Sequence, residues 1–224
     1  PAWRLSDRGD HFIGAAIPAT ILGSFPTMPE HVSNVSGNTF SMPGPNVKVL
    51  FIVGCSRSGS TVMDAVLASH ADAVGLGELQ SLPEAGWMGE DYCGCGVRVH
   101  QCQFWTAVRE RWSAETGAEA GDYLDLQRKV SRLRQLPRLL APSLLRGAWF
   151  GTYRDLTTAL LRAIAREAGV STLIDSSKNP VRATALSRLP DIDLRLIHLV
   201  RDPRGVAASL MKSWKSDLQR GIQQ

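Results

Sequence analysis

No run of about 20 apolar residues occurs in the chain, so no integral membrane span is expected. The nearest candidate, Phe12 to Phe25, is too short and is interrupted by Pro18. It is also a poor signal peptide, because Asp7 and Asp10 offset Arg4 and Arg8 and no small-residue cleavage site follows. A cytoplasmic setting is the expectation. Four cysteines (Cys55, Cys93, Cys95 and Cys102) are too few for a disulfide framework in 224 residues. No basic stripe with interleaved aromatics is present, which argues against nucleic acid as a partner. A net charge of +4 permits an anionic ligand without requiring one. Acidic residues are absent between Leu126 and Tyr153, where Arg128, Lys129, Arg132, Arg134, Arg138 and Arg146 occur. Such a run is either a solvated helix face or a basic cover over an anionic ligand.

What is present suits one domain with a substantial core: 44% of the residues are hydrophobic. Residues 1–46 are rich in Pro, Gly, Ser and Asn and read as an irregular or disordered leader. "VKVLFIVG" (47–54) is a continuous β-branched apolar run, the pattern of a strand buried on both faces of a parallel sheet. "STVMDAVLASH" follows at helical spacing. Residues 71–102 read as turns. From about Gln103 to Ala168 the pattern is helical, with breaks near Pro137 and Pro142. Two more strand–helix units close the chain. "VSTLID" precedes a helix capped by Asn179 with Pro180 in its first turn. "DLRLIHLV", a second buried-strand pattern, precedes a helix capped by Asp202 with Pro203 in its first turn.

Between the first strand and helix lies "GCSRSGST" (54–61). It fits the phosphate-loop pattern G-x-x-x-x-G-K-[ST] except that Ser60 replaces the lysine. Gly54 and Gly59 let backbone N–H groups curl round an anion, and the helix that follows adds the positive end of its dipole. Ser60 and Thr61 add hydroxyls, and Arg57 adds a fork of N–H donors. In triphosphate-hydrolysing loops the lysine reaches the β- and γ-phosphates, so its absence argues for a different phosphate ligand.

Three strands thus end in polar clusters beside helix starts: Gly54 to Thr61, Asp175 to Lys178, and Arg201 to Arg204. In open parallel α/β sheets ligands bind at the carboxyl ends of strands. The clusters are expected to converge there.

"FIVGCSRSGST" together with "LIHLVRDPRGVAASL" resembles the two phosphate-binding elements of sulfotransferases that use 3′-phosphoadenosine-5′-phosphosulfate (PAPS). "IDSSKNP" and "GLGELQSLP" resemble the bacterial, carbohydrate and tyrosylprotein branches. The resemblance covers about residues 47–215 and implies an α/β, three-layer P-loop-like fold with a central parallel sheet and helices on both faces. It implies that Arg57, Ser58, Gly59, Ser60 and Thr61 hold the 5′-phosphosulfate, and that Arg201 and Ser209 hold the 3′-phosphate. Lys178 matches a basic residue near the transferred group, and Glu78 matches a general base. The implied reaction moves a sulfuryl group from PAPS to an acceptor hydroxyl on a carbohydrate, peptide tyrosine or small molecule, with no metal. Family domains continue well past the "RDPR" helix. Ending at Gln224, the chain is expected to lack that C-terminal part, which leaves a non-catalytic PAPS- or PAP-binding fragment as an alternative (PAP is 3′,5′-adenosine bisphosphate). A phosphate-loop kinase or nucleotide hydrolase, with Asp175 as its Mg²⁺ carboxylate, is a further alternative.

"YCGCGVRVHQC" offers Cys93, Cys95, His100 and Cys102. Zinc, a disulfide and free thiols all remain open for these residues. Cys55 reads as a small packing residue, His198 as a core histidine, and Trp105, Trp149 and Phe150 as core.

Overall fold

The computed structural model describes residues 47–141 and 148–222. The expected leader, the Pro142 break and Arg146 lie outside the described residues.

Four parallel strands form one sheet in the order β2-β3-β1-β4. They are β1 (Val47–Gly54), β2 (Ala73–Gly75), β3 (Thr172–Lys178) and β4 (Ile192–Leu199). Helix α1 (Ser60–Leu67) links β1 to β2. Helices α2 (Gln103–Thr116), α3 (Ala120–Val130), α4 (Leu136–Leu140) and α5 (Ala148–Ala168) lie between β2 and β3 in sequence. Helix α6 (Pro180–Leu186) joins β3 to β4, and α7 (Pro203–Ile222) follows β4.

The alternation along β1 builds the layers. Val49 and Phe51 belong to the large core with residues of α2, α3, α5 and α6. Ile52, with Leu50 beside it, faces the smaller cluster that holds Ala68 and Ile174, with Met63 and Leu67 of α1 packed against it. The result is helix–sheet–helix, the three-layer α/β arrangement expected. Aromatic side chains thicken the larger layer: Trp87, Trp112 and Tyr123 lie in succession with ring centroids 5.5 and 5.6 Å apart. The buried indole of Trp112 donates to Leu156 O at 3.0 Å, so its one polar group is satisfied. Trp105 and Phe150 are buried in this core and Trp149 packs against it.

Both expected N-caps form. Asn179 Oδ1 accepts from Val181 N at 2.9 Å and Arg182 N at 3.3 Å. Asp202 Oδ1 accepts from Arg204 N at 2.8 Å. The helical middle breaks before Pro137, which sits in the first turn of α4. Strand β2 was not expected; three residues, Ala73–Gly75, are too few to show a period.

The expectation of a doubly buried final strand is corrected. Among the described residues β4 pairs only with β1 and lies at the sheet edge. Arg195, Leu196 and His198 are exposed there, so His198 is not a core histidine. A run of apolar residues reads alike whether or not a neighbour covers it. Cys55 is likewise exposed, one residue beyond the end of β1, and packs no core.

Candidate active site

The strand register brings the three polar clusters together at the carboxyl ends of β1, β3 and β4. Val53 pairs with Lys178, and Gly54 pairs with Leu199. A Cβ on Gly54 would sit 2.4 Å from Leu199 O, so only glycine lets β1 and β4 close here.

Beyond Gly54 the loop bends through two left-handed residues, Arg57 (φ 65°) and Gly59 (φ 97°). Gly59 precedes α1 and no side chain caps that helix. Ser58 Oγ is buried without a hydrogen-bond partner among the described residues. Ser60, the first residue of α1, is buried, and Thr61 beside it is exposed. An uncapped helix start, an orphaned hydroxyl and a left-handed turn form a cradle suited to an anion.

The second cluster is tied to the turn after β2. Lys178 Nζ forms an ion pair with Glu78 Oε1 and also donates to Ser176 O at 3.3 Å. Lys178, like Arg57, is a non-glycine residue with positive φ (64°). Gln80 N donates to Ser177 Oγ at 3.0 Å, and Ser176 N donates to Gly77 O at 2.8 Å. Asp64 of α1 accepts from Gly77 N at 3.1 Å. Burial pushes the Asp64 carboxyl up to about 6, against the opposing pull of the Ser176 hydroxyl and the Gly77 N–H. A Cβ on Gly75 would meet Asp64 Oδ1 at 2.1 Å, so this glycine makes room for the carboxylate.

Beneath the cluster, Asp175 and Arg182 form a fully buried ion pair, with Arg182 Nε donating to Asp175 Oδ2 at 3.2 Å. Asp175 Oδ1 also accepts from the backbone N–H of Ser177 at 2.9 Å and from its hydroxyl. Burial opposes the charge on Arg182 most strongly, but the Asp175 carboxylate together with Tyr153 and Tyr123 outweighs it and raises the guanidinium pKa. With its amide oxygen turned to Arg182 Nη1 (2.9 Å), Gln127 donates to Gln80 O at 3.0 Å and links the pair to the Glu78 turn. Asp175 is therefore committed to Arg182 and Ser177, which removes it as the Mg²⁺ carboxylate considered above.

The third cluster closes on the first. Arg201 Nη1 donates to Arg57 O at 2.8 Å across 144 residues of sequence. A Cβ on Gly205 would lie 3.0 Å from Arg201 Nε, so this glycine leaves room for the guanidinium beside α7. Arg204 pairs with Asp202 at 2.7 Å and is almost fully exposed, as simple helix punctuation would have it. Ser209 is half-buried on α7 and makes none of the contacts that join the other candidates.

A sulfotransferase family model matches residues 50–223. The chain belongs to the sulfotransferase family. Every candidate residue falls inside the matched span. No curated protein and no solved structure matches the chain. Sequence reasoning named Glu78 and Lys178 separately but missed the residues that support this candidate site: Asp64, Gln127 and Arg182. Asp64 and Arg182 were signalled only as polar residues in helices built mainly of apolar and small residues, "STVMDAVL" and "PVRATAL", and Gln127, in the charged helix "AGDYLDLQRKV", had no signal. Within the basic run, Arg128 pairs with Glu84 at 2.6 Å, and Lys129 lies 4.7 Å from the Trp149 ring centroid. No helix among the described residues is long and apolar enough to cross a membrane.

Proposed function

We propose that this sulfotransferase-family chain takes its sulfuryl group from PAPS and delivers it to an acceptor hydroxyl. The observation that carries this reading is the bond from Arg201 to Arg57 O, because it sets the two anion-binding elements edge to edge. One 5′-phosphosulfate and one 3′-phosphate on a single nucleoside need two such sites side by side. A triphosphate needs one loop with a lysine and a metal.

In this reading Arg57, Ser58, Gly59, Ser60 and Thr61, with the start of α1, hold the 5′-phosphosulfate. Arg201 and Ser209 hold the 3′-phosphate. The orphaned Ser58 hydroxyl and the uncapped helix are the features that fit the donor's anionic end. When bound, PAPS supplies the activated sulfuryl group.

Glu78 accepts the proton of the acceptor hydroxyl as the new S–O bond forms. Lys178 and Arg57 neutralise charge on the departing phosphate. The Glu78–Lys178 ion pair keeps base and cation adjacent before the substrates arrive. Like phosphoryl transfer, the reaction then rests on positioning and preorganised charge.

The test is ligand-induced thermal stabilisation. At roughly 100 times its Kd, PAP should raise Tm by about 5–10 °C. ATP–Mg²⁺ should do much less, and no Mg²⁺-dependent ATP turnover is expected. A shift with ATP–Mg²⁺ and none with millimolar PAP would sink the proposal. PAP binding without transfer of radiolabelled sulfate to any acceptor pool would instead favour a binding fragment.

A further inference from the structure

The three thiols outside the strand-end site converge. Cys93, Cys95 and Cys102 place their sulfur atoms within 4.8 Å of one another, and Cys95 Sγ lies 3.6 Å from Cys102 Sγ. We infer that Cys93, Cys95 and Cys102 bind one zinc ion, which ties the turn at 93–96 to the start of α2.

The spacing is that of metal ligands. Zinc–sulfur bonds of about 2.3 Å at tetrahedral angles put sulfurs about 3.8 Å apart. A disulfide needs only two sulfurs near 2 Å and gives no reason for a third to join them. His100, the fourth residue suggested by sequence, turns away: its Nδ1 lies 3.2 Å from Gly89 O. Among the described residues three ligands converge. A fourth ligand would complete the tetrahedron, and Cys95 is the one exposed thiol of the three.

The backbone is arranged around the sulfurs. Cys93, Gly94, Cys95 and Gly96 form a tight turn in which Gly96 (φ 90°) donates to Cys93 O at 2.9 Å. Cys93 N donates to Val97 O at 2.8 Å, and an antiparallel bridge between Tyr92 and Arg98 closes the small loop.

The segment also has need of a staple. Between the turn ending at Trp87 and the start of α2, its only regular structure is the Tyr92–Arg98 bridge and the single turn Val99–Gln101. Cys93, Val99 and Cys102 nonetheless join the main core. A cation on three thiolates supplies order that regular hydrogen bonding does not. Soft thiolate ligands favour zinc over magnesium or calcium. The ion belongs to the fold and takes no part in sulfuryl transfer.

The experiment measures metal on the full chain, purified under reducing conditions without chelator. One zinc per chain is expected by elemental analysis. Cys95→Ser is the informative variant, since Cys95 is exposed and its loss leaves the core packed; it should lose the zinc, and Cys55→Ser should keep it. Metal-free protein given Co²⁺ should develop thiolate-to-cobalt charge-transfer absorption and tetrahedral bands. Cys95→Ser should weaken Co²⁺ binding at least about tenfold. Zinc retained by Cys95→Ser, reduced wild type that takes up neither metal, or a native disulfide among these cysteines in the non-reduced mass would each overturn the assignment.

Discussion

Lys178, at the end of β3, and Glu78, in the turn after β2, form an ion pair across 100 residues of sequence. Both are largely shielded from solvent, with 15% and 28% of their side chains exposed. The two act as one unit in the proposed chemistry.

Lys178→Ala and Glu78→Gln should each lower sulfate transfer by about 10²–10³. The double variant should be little worse than the poorer single one, because coupled groups are not additive. Turnover of radiolabelled PAPS with a fixed acceptor pool measures this. Fully multiplicative losses would mean that the pair is not a catalytic unit.

Arg201→Ala should weaken PAP by about 10–100-fold, the cost of a charged hydrogen bond. It should weaken 5′-AMP much less, since that ligand has no 3′-phosphate. Calorimetric titration of both nucleotides separates the outcomes. Equal losses would place Arg201 as a support for the Arg57 loop and not as a phosphate ligand.

Asp64 gives a pH test with a definite sign. Its folded-state pKa, about 6, stands above the ordinary carboxylate value of about 3.9. Through that window the folded chain holds a proton that the unfolded chain has lost. Wild-type stability therefore falls as pH rises from about 4 to 6, by at most about 3 kcal/mol from this group. Asp64→Asn removes the titration, so its stability relative to wild type should increase from pH 4 to pH 7. Urea unfolding at both pH values reads the difference, and a constant difference would contradict it.

Removing one partner of the buried Asp175–Arg182 pair should cost about 3–5 kcal/mol. Arg182→Met exposes that cost without adding a polar group. Denaturant titration should show it even where PAP still binds. A loss below about 1 kcal/mol would mean that water reaches Asp175 after the substitution.

Some of this was legible in sequence for local reasons. Asn179 and Asp202 announce helix starts because their side chains bond the next turn, whatever the fold. The loop 54–61 carries its chemistry in residue type, and β1 carries its burial in an unbroken apolar run. Other features depend on contacts between distant segments. The sequence "DLRLIHLV" has the composition of an interior strand, and only the strand order reveals an edge. Arg182 looks like any helical arginine until Asp175, seven residues earlier, is seen on the same side of the sheet. The three cysteines had unremarkable spacing; a folded turn and a helix start bring their sulfurs together.

Arg57 and Lys178 hold left-handed backbones that glycine would adopt more cheaply by about 1 kcal/mol each. The fold alone would favour glycine at both positions. Arg57→Gly and Lys178→Gly should therefore relieve backbone strain while abolishing the proposed transfer, and selection for thermal robustness alone would tend to erase the two cations first.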